Sequence, residues 1–405
     1  MRQTILYIGM SEELDIWSKE LANYLVKQLL PHYYVDLVGD LFDRQVACVK
    51  PFYDLVIVQN ARCWVRYKMI LDRLSKCPVL FVSDTGNLNS YIAPRKNLFG
   101  VINLGKSLLT AWGIPEELQL RLDYPVEKVG NYYIYEEQIS VYRVVYCPTG
   151  RSLIENDLKL LNYLQKSNVS LTIVTDRYEQ LKKAFSSFVT LVSRHALLPA
   201  IKKAHLVVAS GYDVIRALAF CKPCIVLGDY GLGGLVTLAN FAHLQSVYFR
   251  GRNGGCFGEM VPTVLLEEEM RRIFDVNQRE SSLEIQKRIL SAYDKKDFDK
   301  SFLQYIEQTI SLFKSMKSRN KRFLLRPRLS SLFVLKESEG KQYLMRGQTC
   351  FFELEAEMLD LLKLCDGTVS VHELAERYGY NQEETEILWL NLYDLWKEKL
   401  ILFML

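Results

Sequence analysis

The 405-residue sequence predicts an α/β protein with two doubly wound parallel sheets in series and a small α+β module after them. Three observations lead there. Over the first third, short apolar runs ending in Asp, Asn or Gly alternate with helix-length segments. The same alternation restarts at Arg143 after an irregular stretch. Beyond about residue 330 the texture changes to a hairpin pattern and three amphipathic segments. Strands that are apolar on both faces and alternate with helices imply parallel sheets with right-handed crossovers.

The first unit opens with QTILYIG (Gln3–Gly9) and a helical pattern through Leu29, in which Ile16, Leu21, Leu25 and Leu29 approximate one face. VDLVGD, DLVIVQN, PVLFVSD and VINLG then read as strands, and ARCWVRYKMILDRLSK, between the second and third, has helical spacing. GKSLLTAWGI reads as the closing helix, so the unit covers residues 1–113. Residues 114–142, with Pro115, Pro125 and a tyrosine cluster, read as a linker. The second unit, 143–317, contains RVVYCPTGR, SLTIVTD, HLVVASG, CIVLGD and SVYFRG (Ser246–Gly251) as strands, and ends in helices that pack on a rim.

KSMKSRNKRFLLRPR at 314–328 is a basic stretch, and residues 318–330 read as a solvated linker or a charge contact for an acidic partner. In 331–405, SLFVLKE and KQYLMRG alternate like a hairpin turning at Glu339-Gly340. ELEAEMLDLLKLC closes at Asp366-Gly367. SVHELAERYG carries a capping-box pattern in Ser370 and Glu373, and NQEETEILWLNLYDLWKEKLI is amphipathic throughout.

Composition excludes some functions. A net charge of +4 is too mild for a nucleic-acid binder, and the segment from Glu353 to Glu386 is acidic and would be repelled by phosphate. No apolar run reaches bilayer-spanning length, and the N-terminus reads directly as a strand; the expectation is a cytoplasmic protein with no membrane contact. Nine cysteines without a framework fit a reducing compartment. Only Cys221 and Cys224 have C-x-x-C spacing, and no second pair or nearby His completes a metal set, so no metal is expected.

The chemistry concentrates in HLVVASGYDVIRALAFCKPCIVLGDYGLGG (His205–Gly234), which reads as strand, tight turn, helix, strand and glycine-rich turn. That order brings backbone N–H groups and a helix N-terminus to the carboxyl ends of parallel strands, where phosphorylated ligands bind. Ser210, Gly211 and Tyr212 open the helix, while Asp213 in its first turn would repel phosphate unless it caps the helix. Gly231, Gly233 and Gly234 form either a ligand cradle or a mobile loop. Arg250 and Arg252 stand in a glycine-rich loop suited to an anion. Gly150-Arg151 reads as a turn with a cation behind it, or as an ordinary strand-to-helix turn. In the first unit Asp40, Asn60 and Asp84 end strands, and Asp84 in VSDTGN is the favoured general base, with an Asx-turn cap as its alternative.

Two resemblances join these readings. VVYCPTGR and AHLVVASGYDVIRALAFCKPCIVLG resemble the donor-side motifs of GT-B glycosyltransferases, and the likeness extends at pattern level over roughly residues 1–310. It implies two Rossmann-like domains, acceptor-side then donor-side. It also implies a nucleotide-sugar donor whose diphosphate lies by Gly150, Arg151, Ser210, Gly211 and Tyr212. The chain departs from that pattern at Arg216, where such enzymes carry a glutamate for the ribose hydroxyls, and at Cys221, where they carry glycine. A guanidinium only donates, so Arg216 implies a different grip, on a phosphate, or a degenerate donor site.

FELEAEMLDLLKLCDGTVSVHELAERYGYNQEETEILWLNLYDLWKEKLI resembles the PqqD-like, winged-helix leader-recognition domain of enzymes that modify ribosomally made peptides. It implies capture of a precursor leader peptide as an added strand beside the last helix. Together the resemblances imply a glycosyltransferase acting on a ribosomal precursor peptide. The alternative is a catalytically degenerate scaffold that presents such a peptide to a second modifying enzyme.

Overall fold

A computed structural model describes residues 2–10, 16–39, 49–83, 97–104, 114–126, 141–148, 155–175, 189–275, 279–338 and 340–405. The chain divides into two compact units, Met1–Leu122 with Asp299–Leu405, and Asp123–Phe298. The expected two-sheet α/β class is what forms.

In the first unit the elements are β1 (Thr4–Met10), α1 (Ile16–Leu29), β2 (Tyr34–Gly39), β3 (Leu55–Gln59), α2 (Ala61–Arg66), α3 (Lys68–Arg73), β4 (Val79–Ser83), β5 (Leu98–Leu104) and β6 (Gln119–Leu122). The sheet order is β2-β1-β3-β4-β5-β6, and every pairing is parallel. Strands β3, β4 and β5 are buried along their whole length, as near-continuous apolar runs require. Strand β6 lies in the stretch read as a linker; its short QLRL run is too polar to announce a strand, and pairing with β5 supplies the order.

The second unit contains β7 (Tyr142–Tyr146), α4 (Glu155–Gln165), β8 (Val169–Val174), β9 (Val189–Val192), α5 (Leu197–Lys203), β10 (Leu206–Ala209), α6 (Tyr212–Ala219), β11 (Cys224–Gly228), β12 (Gly231–Leu235), α7 (Phe241–Ser246), α8 (Thr263–Asp275) and α9 (Arg279–Ala292). Its order is β12-β11-β10-β7-β8-β9, with β12 antiparallel and the rest parallel. Side-chain alternation gives each face its own core. Val207, Ala209, Cys224 and Val226 pack with α6 and α9, while Leu206, Val208, Ile225 and Leu227 pack with α4 and α8.

Helix α6 ends in a Schellman arrangement: Cys221 N–H donates to Leu218 O at 2.9 Å, and Lys222 N–H to Ala217 O at 3.0 Å. Cys221 takes φ 58° there, the conformation for which glycine is usual.

Helix α10 (Lys295–Lys317) leads back into the first unit, where Gly100 of β5 gives Tyr305 room; a Cβ at Gly100 would lie 2.4 Å from the Tyr305 hydroxyl. The C-terminal module follows as β13 (Arg326–Leu329), β14 (Val334–Ser338), β15 (Lys341–Arg346), β16 (Thr349–Leu354), α11 (Ala356–Leu364), α12 (Val371–Arg377), α13 (Gln382–Lys397) and β17 (Ile401–Met404). Strands β14-β15-β16 form an antiparallel sheet, and β13 pairs with β17. The capping box at Ser370 and Glu373 forms as expected, and a second one forms at Asn381 and Glu384. The basic stretch is built into the module: β13 is part of it, Pro327 is buried, and Arg322 and Arg319 pair with Glu386.

The module is seated on the first sheet. Phe99 of β5 packs against Phe313 and Trp396, with ring centroids 5.4 and 5.1 Å away. Lys399 is 4% exposed; its Nζ donates to Leu98 O at 3.0 Å and lies 4.4 Å from the Trp396 ring. Burial lowers its pKa to about 7, and burial lowers that of Lys222 to about 8. An unfolded lysine keeps its proton to about pH 10.4. Between pH 7 and 10 the unfolded chain thus binds more protons at these two positions, and their contribution to stability rises with pH. Lys399→Met is expected to lower the change in Tm from pH 7 to pH 9 by a few degrees relative to the wild type. The same change in both proteins contradicts the burial of the Lys399 ammonium group.

Candidate functional site

The second sheet reverses its winding between β7 and β10. Renumbered from β7, its order is that of a doubly wound dinucleotide fold, whose ligand crevice opens at the carboxyl ends of the two strands flanking the reversal. The segment after β10 is Ser210-Gly211. The segment after β7 holds Gly150 and Arg151, which lie outside the described residues, as does Asp84 in the first unit. Asp40 also falls outside them, while Asn60 caps α2 by accepting from Arg62 N–H at 2.9 Å.

Ser210 is 1% exposed, and its Oγ has no hydrogen-bond partner among the described residues. A buried hydroxyl without a partner loses stability unless a ligand or water completes it. The hydroxyl packs against Gly228 at the end of β11, where an added Cβ would lie 2.3 Å from Ser210 Oγ and 2.5 Å from Arg250 O. The buried Nε of Arg250 is likewise without a partner. Gly211 takes φ 61° and ψ −131°, which glycine alone adopts cheaply, and its N–H donates to Phe249 O at 2.8 Å. That bend starts α6 directly behind the serine, so the opening N–H groups of the helix sit beside the orphaned hydroxyl.

The first turn of α6 answers the question posed by Asp213. Its carboxylate does not cap the helix; it is 1% exposed and held by both guanidinium nitrogens of Arg194, one at 2.6 Å. Arg216 adds a contact at 3.5 Å. The Arg194 pairing neutralises Asp213, which removes the expected repulsion of phosphate. Arg216 also lies 4.2 Å over the ring of Tyr212. Tyr212 in turn stacks on Tyr124 at 4.9 Å and donates its hydroxyl to Pro125 O. Arg216 and Tyr212 thus hold each other and the α6 N-terminus in place.

The glycine run is not a loop. Gly231, Gly233 and Gly234 form the edge strand β12, joined to β11 by a two-residue turn at Asp229-Tyr230. A Cβ at Gly233 would lie 2.7 Å from Gly251 O, and one at Gly231 or Gly234 would press on Glu259 or Glu269, so packing accounts for all three. SVYFRG is not a strand either. It is a turn in which Tyr248 and Phe249 take φ 57° and 53°, and Phe249 is fully buried. The turn lies against Asp229-Tyr230: Tyr230 N–H donates to Arg250 O at 3.0 Å and Arg252 N–H to Tyr230 O at 3.2 Å. Arg250 pairs with Asp229 at 2.5 Å and Arg252 with Glu259 at 2.6 Å. The Arg252 hydrogen bond holds the Glu259 carboxyl below its ordinary range.

Cys147 and Cys224 are buried free thiols, and burial raises both, so neither is a nucleophile near neutral pH; Cys221 is buried as well. No cluster of metal-ligating side chains occurs among the described residues. No helix there is long and apolar enough to cross a membrane.

In the C-terminal module, β16 is one of the two edges of its sheet, with β14 the other. Phe351 is the extra residue of a bulge, opposite the Leu344-Met345 step, and is half exposed. Ile387 and Leu390 of α13 are exposed as well.

No protein-family model and no curated protein matches this sequence. Among solved structures it is similar to AviGT4, a glycosyltransferase involved in avilamycin A biosynthesis, at 10% identity over 76% of this chain and 98% of that one, with a TM-score of 0.43. It is similar to the apo form of the lipopolysaccharide outer core galactosyltransferase WaaB at 11% identity over 75% and 99%, with a TM-score of 0.47. It is also similar to UDP-GlcNAc 2-epimerase from Neisseria meningitidis bound to UDP-GlcNAc, at 13% identity over 75% and 98%, with a TM-score of 0.42. These likenesses carry no activity or residue role to this chain.

Proposed function

We propose that the chain is a glycosyltransferase that takes a nucleotide-activated sugar at the carboxyl end of its second sheet and modifies a ribosomally made precursor peptide held by its C-terminal module. The observation that carries the first half is the buried, unpartnered Ser210 hydroxyl beside Gly228 and the N-terminus of α6. A diphosphate supplies the acceptor atom that hydroxyl lacks, and the N–H groups of α6, with Asp213 neutralised by Arg194, favour its charge. Glycosyl transfer breaks the bond between the sugar carbon and the diphosphate oxygen while the acceptor forms its bond at that carbon. The leaving diphosphate gains negative charge, which fixed donors stabilise in the transition state. Arg250 Nε is a second such donor, and Arg151 with Gly150 belongs to the same reading. Asp84 is the proposed base that takes the acceptor proton.

The second half rests on the PqqD-like pattern and on the exposed apolar residues of β16 and α13. A captured leader raises the concentration of the core peptide around the chain.

One observation favours a non-catalytic scaffold instead: Arg216, Arg250 and Arg252 each already meet a carboxylate. A thermal-shift panel of nucleoside diphosphates and their sugars separates the two. The transferase raises Tm with at least one of them. A chain that binds none at millimolar concentration is the scaffold.

A further inference from the structure

The exposed face of α13 is a stripe with a definite order. Glu383, Ile387, Leu390 and Asp394 are all exposed and fall at helical spacings of four, three and four residues, on one side of the helix. Two apolar side chains are thus bracketed by two carboxylates. Among the described residues Glu383 has no ion-pair partner. Asp394 meets Lys397 at 2.7 Å across open surface, a pairing too weak in water to keep a competing cation away. The setting has the same sign. Residues 351–405 hold twelve Asp and Glu against four Lys and Arg, in a chain whose net charge is +4. Exposed Glu355, Glu357 and Asp360 at the start of α11 also have no ion-pair partner among the described residues.

Resting on the peptide-capture reading above, we infer that this face selects a peptide with an apolar pair flanked on both sides by lysine or arginine. The spacing follows from the helix. Glu383 and Asp394 are eleven residues apart, about 16 Å along the axis. An extended peptide rises about 3.3 Å per residue and alternates its side chains between two faces, so two cations on the face toward α13 stand an even number of residues apart, about six, with their long side chains reaching inward to the carboxylates. The apolar residues between them cover Ile387 and Leu390, and the flanking ammonium or guanidinium groups meet the two carboxylates. Selectivity comes from both ends: an acidic flank meets like charge, and a neutral one leaves the carboxylates unanswered.

The test uses the full chain and three fluorescein-labelled twelve-residue peptides in an anisotropy titration at low salt. All three carry Ile at position 6 and Val at position 8; one has Lys at positions 4 and 10, one has Glu there, and one has Lys at 2 and 4. The expected result is that the first binds at least tenfold tighter than either other peptide, with the advantage shrinking in 0.5 M salt. Glu383→Gln with Asp394→Asn is expected to erase that advantage at unchanged circular dichroism, and Leu390→Glu to weaken all three peptides. Equal binding of the Lys and Glu peptides, or an advantage that survives the double substitution, overturns the charge assignment and leaves peptide capture standing. Absence of binding by every peptide overturns both.

Discussion

Replacing Arg194 with methionine is expected to lower the unfolding free energy by about 3–5 kcal/mol, because it strands a buried carboxylate. Asp213 is 1% exposed, and Arg194, whose side chain is 8% exposed, supplies its two close contacts; the remaining contact, Arg216, is at 3.5 Å. Methionine keeps most of the side-chain volume, so the loss reports charge rather than a cavity. The second arm is the double replacement Arg194→Met with Asp213→Leu, which removes both ions. It is expected to recover much of the loss, since an apolar pair avoids the desolvation of two charges. Urea denaturation measures both. A single-variant loss under about 1 kcal/mol means the pair is as weak as an exposed one.

The second large effect is expected at Gly228. Alanine there places a Cβ 2.3 Å from Ser210 Oγ and 2.5 Å from Arg250 O. The serine can rotate away; the Arg250 backbone cannot, because its carbonyl accepts from Tyr230 N–H and Gly251 lies directly against the Tyr230 peptide. The turn must move, and overpacking of this kind costs about 1–3 kcal/mol of stability. Ligand binding suffers more. With the hydroxyl turned away and the turn displaced, affinity for the tightest nucleoside diphosphate is expected to fall by about a hundredfold, or about 2.8 kcal/mol. Retained affinity in a stably folded Gly228→Ala protein places the anion somewhere else.

Several of these features are legible in the sequence for definite physical reasons. Buried parallel strands announce themselves as continuous apolar runs, so β1, β3, β4, β10 and β11 are visible, as is α6 between a glycine and Lys222-Pro223. Strand β6 and strand β9 are short and only half-buried, and their pairing rather than their composition makes them strands. The Val247-Tyr248-Phe249 run misleads in the other direction. Its apolar content serves a turn that drives Phe249 into the core, and positive φ at two non-glycine residues has no composition signal.

The site divides the same way. Ser210 and Gly211 stand out because a small polar residue and a permissive glycine follow a buried strand. Arg194, Asp229 and Glu259 do not, because each matters only through a partner brought close by folding: Asp213, Arg250 and Arg252. Their presence changes the meaning of what was visible, turning Asp213 from an obstacle into half of a neutral pair. The glycines of β12 show the converse. They resemble a ligand loop in sequence, yet each faces a neighbour that a side chain would strike.

Isothermal titration of the tightest nucleoside diphosphate into the wild-type protein and into Ser210→Ala asks whether the orphaned hydroxyl donates to the ligand's phosphate. Removing a hydrogen bond to a charged group is expected to weaken binding by roughly ten- to a hundredfold, while leaving stability unchanged or slightly raised, because the alanine has no buried polar atom to satisfy. Equal affinity in the two proteins, with the same enthalpy, contradicts the assignment of this site.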